Sequence, residues 1–257
     1  MLDTIIWGLV QGLTEFLPVS SSGHLVVVPA FLNELGMNIG QPSLAVSAVL
    51  HLGTLAAVLG YFRRDIARVL RFRTDAEGRK IIMLVGIGTI PALIGLPLER
   101  TLDEFQRTVS NVGWTLMATG LILLVGQRLA TGTRVMAEGR VPDAAVVGVA
   151  QAFALIPGIS RSGITISAGN GRGFQPAEAA RYAFLLGIPA IAGAGLSQLP
   201  DVLDSGGFGG ELIVGLVVAA ISGYAAIAVL LSAIRRVGLN PFALYCLAAG
   251  LLTVLFL

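Results

Sequence analysis

Residues 212–231 read LIVGLVVAAISGYAAIAVLL and decide the fold class, because no charged side chain occurs in the whole stretch. A helix of about 20 residues crosses the ~30 Å hydrocarbon core of a bilayer. Backbone groups in lipid need partners within the protein, and the stretch lacks the alternation of polar and apolar residues typical of a barrel strand. It therefore predicts a transmembrane helix.

Five further segments are predominantly apolar and of similar length: about 43–62, 81–98, 112–129, 178–198 and 241–257. The chain as a whole is 55% hydrophobic and 12% charged, with a mean hydropathy of +0.84. A water-soluble domain of 257 residues needs more polar surface. We predict an all-α integral membrane protein, one domain over residues 1–257, with six transmembrane helices.

Several classes of function and processing are disfavoured. Asp3 precedes the first apolar stretch without any Lys or Arg, so a cleavable signal peptide is not expected. The single cysteine, Cys246, has no partner for an intrachain disulfide. The net charge is only +2, and no basic, aromatic-rich groove suggests nucleic acid as a partner.

The chain contains an internal duplication. Shifting the sequence by 140 residues aligns 3–23 with 143–163 without a gap, and six of the 21 positions are identical: Asp3/Asp143, Gly8/Gly148, Gln11/Gln151, Ser20/Ser160, Ser22/Ser162 and Gly23/Gly163. Shared polar residues in the same order favour duplication over shared apolar composition. We predict one repeat in residues 1–130 and a second in 142–257.

Each repeat opens with a segment that cannot form one continuous helix. Residues 17–23 read LPVSSSG and residues 157–163 read PGISRSG. Proline and glycine end a helix, and serine caps the next one. We predict two re-entrant helix-loop-helix segments, 2–35 and 142–171. Such segments are tolerated in the membrane when they are buried against protein or line a polar cavity.

Three full spans per repeat insert the second half upside down, which predicts an inverted repeat. In this topology 14 of the 17 basic residues lie on one side, and the opposite side holds only Arg100 and Arg107. The basic side is expected in the cytoplasm, with both termini outside. The tips of the two broken segments then meet near the midplane.

The first broken segment carries acid–base chemistry. Gln11 and Glu15 are four residues apart and share a helix face just before Ser20, Ser21, Ser22 and His24. An ionisable group in lipid is costly and usually functional, which makes Glu15 a strong candidate.

The second broken segment is predicted to bind an anion. Arg161 lies among Ser160, Ser162 and Thr165 at the start of a half-helix, where free N–H groups and the helix dipole favour negative charge. A buried ion pair between Arg161 and Glu15 is the alternative, and it is compatible with function. His51 is expected to be structural, bonded to a neighbouring helix. Asn170 and Arg172 are expected either to line the cavity or to mark its cytoplasmic exit.

These residues resemble the undecaprenyl-diphosphatase family, also called bacitracin-resistance proteins. QGLTEFLPVSSSGH at 11–24 resembles its first signature and PGISRSGIT at 157–165 its second, and the likeness extends to Asn240, Pro241 and Phe242. The resemblance implies hydrolysis of undecaprenyl diphosphate to the monophosphate in the inner membrane, which recycles the carrier for peptidoglycan. It also implies bacitracin resistance and an active site facing the periplasm or extracellular side.

The resemblance and the chemistry of diphosphate hydrolysis together assign roles. The catalytic candidates are Glu15, Ser21, His24 and Arg161. The diphosphate-binding candidates are Ser20, Ser22, Gly23, Ser160, Ser162, Gly163 and Thr165. A divalent cation, Mg²⁺ or Ca²⁺, is expected on Glu15, with Gln11 a weaker candidate because many members of the family carry Glu there. Either Ser21 or a water molecule is the nucleophile.

A transporter or flippase for polyprenyl phosphate lipids is the rival hypothesis, because inverted repeats also build transport sites. The expected partners are the polyprenyl diphosphate substrate and membrane lipids, and a homodimer is left open. A second departure from the family pattern, Asn170 to Gly173 where aliphatic residues are more common, concerns the floor of the cavity.

Overall fold

The computed structural model describes residues 1–98, 108–204, 207 and 209–257. The α-helices in these residues are α1 (Leu2–Phe16), α2 (Ser21–Glu34), α3 (Leu44–Tyr61), α4 (Arg63–Leu70), α5 (Ala76–Gly95), α6 (Val109–Arg128), α7 (Val141–Phe153), α8 (Arg161–Gly171), α9 (Pro176–Ser197), α10 (Leu199–Asp204), α11 (Gly210–Arg236) and α12 (Asn240–Phe256). Two short 3-10 helices cover Leu96–Leu98 and Met136–Glu138, and Arg134 and Phe174 form an isolated β-bridge. The predicted all-α class is confirmed. Arg100 and Arg107 lie outside the described residues.

Five of these helices, α3, α5, α6, α9 and α11, are long and apolar enough to cross a membrane. The sixth predicted span corresponds to α12, whose 17 residues lie at the lower end of the usual range. Helix α5 begins earlier than predicted because the Asp75 side chain accepts a hydrogen bond from the Gly78 N–H at 3.0 Å and caps the helix within the charged loop. Helix α11 continues to Arg236, because the negative C-terminal end of the helix dipole stabilises basic side chains in the last turn.

The outward-facing side chains of these helices are apolar. Leu44, Ile94 and Ile221 are 70%, 75% and 68% exposed. Water-soluble proteins rarely expose apolar surface so extensively, whereas lipid solvates it. The protein is a multi-pass integral membrane protein.

Small residues let the helices approach closely. A Cβ atom on Gly12 of α1 would lie 2.6 Å from the carbonyl oxygen of Ala219 in α11. A Cβ atom on Gly148 of α7 would lie 2.6 Å from the carbonyl oxygen of Gly88 in α5. Backbone approach through small residues is the usual way that helices associate in lipid.

The contacts between helices follow the same order in both halves. Helix α1 packs on α11 while α7 packs on α5, and α3 contacts α11 while α9 contacts α5. Two further close pairs, α3 with α9 and α6 with α12, each join equivalent helices of the two halves. This order agrees with the duplication, whose boundaries and inverted membrane orientation stay predictions.

The two interruptions of the helical structure lie next to each other, at the centre of the helix bundle. The first falls between α1 and α2 and the second between α7 and α8, as the helix-loop-helix pattern predicts. The Ser162 hydroxyl of the second break donates to the Leu17 carbonyl of the first at 3.2 Å. Phe16 packs edge-on against Phe184 of α9, with ring centroids 5.6 Å apart, and this fully buried pair anchors the end of α1.

Candidate active site

Each loop ends in a serine that caps the following helix, with the same hydrogen-bond arrangement in both. Ser20 and Ser160 are the N-cap residues of α2 and α8, and their hydroxyls accept hydrogen bonds from the N–H groups of Gly23 at 3.3 Å and Gly163 at 3.1 Å. The capping hydroxyls also lie 3.3 Å from Ser22 and 3.2 Å from Ser162, respectively. Two half-helices therefore direct their positive N-terminal ends into the loops.

The backbones of the loops differ in where they turn. Ser20 has a φ of 73°, in the left-handed region that non-glycine residues rarely adopt. In the second loop that region is occupied by Gly158, with a φ of 90°, while Ser160 has a φ of −72°. The strained Ser20 directly precedes Ser21, and such strain is often found at functional sites.

Helix α6 holds the second loop in place. Thr115 donates to the Pro157 carbonyl at 2.7 Å, and Thr119 donates to the Gly158 carbonyl at 2.8 Å. Thr119 also accepts from the Ser160 N–H at 3.0 Å. These bonds satisfy loop backbone groups that would otherwise be buried without partners.

A cavity of about 160 Å³ lies between the loops. Its polar lining residues come from both halves of the chain: Thr14, Glu15, Ser20, Ser21, Ser22, His51, Ser160 and Arg161. Its apolar wall includes Ala190, Ile191 and Ala194 of α9. The structure thus brings the predicted first and second motifs together around one polar space.

The Glu15 carboxylate connects the two motifs within this cavity. Its Oε1 atom accepts a hydrogen bond from Nη2 of Arg161 at 2.5 Å. Its Oε2 atom accepts from the Ser21 hydroxyl at 2.7 Å and from Nε2 of Gln11 at 2.9 Å. The predicted ion pair with Arg161 is present, and the carboxylate also holds the hydroxyl of the candidate nucleophile.

The Arg161 guanidinium keeps a free donor. Its Nη1 atom is buried and has no hydrogen-bond partner among the described residues. A Cβ atom on Gly187 of α9 would lie 1.6 Å from Nη1, so only glycine leaves room for the guanidinium there. Gly187 is a site residue that was not predicted, since nothing local distinguishes it from other glycines in the spans.

The remaining predicted site residues lie behind the cavity lining. Both ring nitrogens of His24 are engaged, Nδ1 with the Ser20 carbonyl at 2.7 Å and Nε2 with the Tyr245 hydroxyl at 2.8 Å. Thr165 donates to the Arg161 carbonyl at 2.7 Å. Gly23, Ser162 and Gly163 take part in the loop contacts described above. These groups support the loops in this structure.

The predicted hydrogen-bond partner of His51, a group on a neighbouring helix, was wrong. Its Nδ1 atom lies 2.8 Å from the Ser47 carbonyl of its own helix, not of a neighbouring one. A carbonyl only accepts, so Nδ1 carries the proton and donates. The ring lines the cavity with Glu15 and Arg161. The sequence signal that could have indicated His51 as a cavity residue is its position as a lone polar residue within an apolar span.

Arg172 and Asn170 fall outside this cavity. Arg172 Nε donates to Asp143 at 2.8 Å, and the other oxygen of this buried carboxylate accepts from Arg134 at 2.7 Å. These bonds tie the end of α8 to the start of α7. Asn170 lines a second cavity at that end of the molecule.

The donor set available to a divalent cation is small. Among the described residues, no cluster of three His, Cys, Asp or Glu side chains is arranged to hold a metal ion. Glu15 is the single carboxylate in the described cavity lining, and the Oε1 atom of Gln11 beside it is buried without a partner. Mg²⁺ typically takes one or two carboxylates together with substrate phosphates and water. The residues therefore fit a cation held mainly by the substrate.

Fold and site together define a helical membrane protein with an acid, a hydroxyl and a guanidinium in one buried polar cavity. The sequence model of the family described as bacitracin resistance protein BacA matches residues 4–252, and the chain belongs to this family. The similar proteins include an undecaprenyl-diphosphatase of Nocardioides sp., 40% identical over 98% of this chain and 95% of the relative. Another, from Halothermothrix orenii, is 42% identical over 99% and 97%, and one from Methanosphaera stadtmanae is 36% identical over 99% and 97%.

Proposed function

We propose that this chain hydrolyses undecaprenyl diphosphate to undecaprenyl phosphate and phosphate, which recycles the lipid carrier for peptidoglycan and other envelope glycans and confers bacitracin resistance. Its family membership and the names of its full-length relatives support this activity. The observation that carries the proposal is the Glu15 carboxylate, which binds Ser21 with one oxygen and Arg161 with the other inside a polar cavity.

In this proposal Arg161 binds the diphosphate. A guanidinium can donate to two phosphate oxygens at once, and Nη1 is still unpartnered. Hydroxyl and N–H groups of the two loops supply further donors, from Ser20, Ser22, Gly23, Ser160, Ser162, Gly163 and Thr165. The N-terminal ends of α2 and α8 add favourable electrostatics for the anion.

Ser21 is the proposed nucleophile. Its proton passes to Glu15, a bond forms between Oγ and the terminal phosphorus, and the bond from this phosphorus to the bridging oxygen breaks, so that undecaprenyl phosphate leaves. Water then cleaves the phosphoserine and releases phosphate. The 2.7 Å hydrogen bond from Ser21 to Glu15 is the geometry that a serine and its general base require. Direct attack by a water molecule oriented by Glu15 is the second route.

His24 is retained as a catalytic candidate. Its bonds to the Ser20 carbonyl and to Tyr245 suit a role in holding the strained loop that presents Ser21. In that case its effect on the reaction passes through Ser21.

A divalent cation, Mg²⁺ or Ca²⁺, is part of the proposal as a partner of the substrate. Glu15 would supply one ligand and the amide oxygen of Gln11 a second, and the cation would neutralise charge on the diphosphate.

We further propose that the protein lies in the inner membrane with the active site facing the periplasm or extracellular side. Ala190 and Ala194 line the cavity from the last third of α9, whereas Arg181 lies near its start. His51 lies in the first half of α3, away from the basic residues that follow it. The cavity thus lies in the half of the molecule away from the basic, predicted cytoplasmic end. Formation of a homodimer stays a prediction.

Phosphate release tests the proposal. The purified full-length chain in detergent should release phosphate from undecaprenyl diphosphate without a membrane potential, and Glu15→Gln should lose most of this activity. A transporter or flippase for polyprenyl phosphate lipids would release no phosphate in detergent but would move lipid across a vesicle membrane. That outcome would replace the enzyme by its rival.

A further inference from the structure

A second cavity lies at the opposite end of α8 from Arg161. Its volume is about 350 Å³, within the range of small-molecule sites. Asn170, which lines it, follows Arg161 by nine residues, and this separation corresponds to about 14 Å along the helix. The cavity is therefore separate from the candidate active site.

Asn170, one of the residues that line this cavity, carries a buried acceptor atom. Asn170 is 2% exposed, and its Nδ2 atom donates to the Gly126 carbonyl at 3.1 Å. This bond fixes the orientation of the amide, since only the nitrogen can donate. The Oδ1 atom is buried and has no hydrogen-bond partner among the described residues. An acceptor of this kind requires an N–H or O–H donor from a ligand or from water.

The rim of the cavity is cationic. Arg235 and Arg236 lie in the last turn of α11, and neither forms an ion pair within the described part of the chain. Glu178, the acidic residue in the first turn of α9, already accepts hydrogen bonds from Arg181 and from the Met136 N–H. Positive charge at this rim is thus left for an external anion.

The turn that closes the cavity is rigid. Gly238 has a φ of 70°, and a Cβ atom there would lie 2.1 Å from Oε1 of Gln127. The same Gln127 oxygen accepts from the Leu239 N–H at 2.5 Å, so α6 fixes the turn between α11 and α12. A wall held in this way is preorganised for binding.

We propose that this cavity binds the head group of a membrane phospholipid that carries both a phosphate and an N–H donor, as phosphatidylethanolamine does. The phosphate pairs with Arg235 and Arg236, and the ammonium donates to Oδ1 of Asn170. The cavity lies where the candidate spans α6 and α11 end and α9 begins. Val237 beside the arginines is 56% exposed, so charged and apolar surface meet there as at a lipid head-group layer. Hydrogenphosphate shares the combination of negative charge and donor, and the test separates the two sources.

Phosphatidylethanolamine and phosphatidylcholine provide the decisive comparison, because the quaternary ammonium of choline has no N–H. Native mass spectrometry of the purified full-length chain, titrated with each lipid, should give about tenfold tighter binding of phosphatidylethanolamine, the value expected of one charge-assisted hydrogen bond. In Asn170→Leu the two lipids should bind equally. In Arg235→Gln/Arg236→Gln both should bind about tenfold more weakly, with their ratio unchanged.

Two matched variants control for charge and for loss of a buried amide. Arg63→Gln/Arg64→Gln removes another exposed pair of arginines that does not line the cavity. Gln151→Leu removes another buried amide whose oxygen is unpartnered and whose nitrogen donates to a glycine carbonyl. Both should bind the lipids as the unchanged chain does. Equal binding of the two lipids by the unchanged chain, or a ratio that survives Asn170→Leu, would overturn the proposal. Displacement of the lipid by inorganic phosphate at equal concentration would assign the cavity to the free anion instead.

Discussion

At the scale of single residues, the Glu15–Arg161 pair explains how two charges are tolerated among apolar helices. Each compensates the other, and Ser21 and Gln11 satisfy the second carboxylate oxygen. In the proposed mechanism, an incoming diphosphate competes with Glu15 for the guanidinium. Phosphate oxygens that accept from Arg161 would weaken its ion pair with Glu15 and leave the carboxylate free to accept the Ser21 proton. Substrate binding and activation of Ser21 would then be linked through this one carboxylate.

Ser21→Ala should lower kcat by about 100-fold or more, because it removes the hydroxyl that Glu15 holds. Ser22→Ala is the matched variant, since the neighbouring hydroxyl contacts Ser20 and not Glu15, and its loss should be about tenfold or less. Phosphate release at saturating substrate measures both. Retention of most activity by Ser21→Ala, together with a deep loss in Glu15→Gln, would favour water as the nucleophile.

Arg161→Lys should lose about tenfold or more in kcat/KM although the charge is kept. An ammonium is a point charge and cannot replace a planar fork that donates to a carboxylate and a diphosphate together. Steady-state kinetics on folded protein, with the thermal transition as the control for folding, gives the result. Near-normal kcat/KM would make Arg161 a structural partner of Glu15 only.

Site residues were predictable from the sequence where a charged or polar residue occurs within an otherwise apolar segment. Glu15 and Arg161 were identified for this reason, and their ion pair was foreseen as an alternative. The side on which a helical residue faces depends on how the helix is rotated against its neighbours. For that reason the exposure of His51 to the cavity was missed, as was the bond from His24 to Tyr245, 221 residues further along the chain.

At the scale of helices, α9 supports the site through the absence of a side chain. Gly187 leaves the space that the Arg161 guanidinium fills, and Ala190, Ile191 and Ala194 continue the same face as the wall of the cavity. Both broken helices were predictable from Pro, Gly and Ser, because these residues act on their immediate neighbours. A close approach between distant helices leaves no comparable local signal, so Gly187 could not be identified in advance.

Gly187→Ala should reduce kcat/KM about tenfold or more with little change in thermal stability. The added methyl group would displace the end of a flexible side chain, which moves readily, but this end is the guanidinium proposed to bind the diphosphate. Gly193→Ala on the same helix is the control, because an added Cβ atom there meets nothing within 4 Å. Kinetics and thermal unfolding of both variants in detergent test this. An equal effect of the two substitutions would show that α9 tolerates alanine poorly in general.

At the scale of the whole molecule, the charge distribution and the position of the two cavities support the proposed orientation in the membrane. Arg63 and Arg64 follow α3, Arg235 and Arg236 form the last turn of α11, and the second cavity lies at this end. The candidate active site lies away from this end, with His51 in the first half of α3 and Ala194 near the end of α9 in its lining. Lys and Arg remain preferentially on the cytoplasmic side. With the basic end in the cytoplasm, as we propose, the candidate active site would face away from the cytoplasm and the second cavity toward it.

Cysteine labelling in intact cells tests this orientation. In a Cys246→Ala background, Asp3→Cys and Leu257→Cys should both react with a membrane-impermeant thiol reagent, because an odd number of crossings in each half returns the C-terminus to the side of the N-terminus. Arg64→Cys is the control: this exposed position at the basic end should react only after the cells are permeabilised. The buried Cys246 makes only a weak contact, with its sulfur 3.7 Å from the Pro18 carbonyl, and alanine lacks just this one sulfur atom, so the substitution should leave the fold intact. Labelling of Arg64→Cys in intact cells with protection of both termini would reverse the orientation. Termini that label on opposite sides would contradict the inverted repeat itself, since two halves of three spans each require them on the same side.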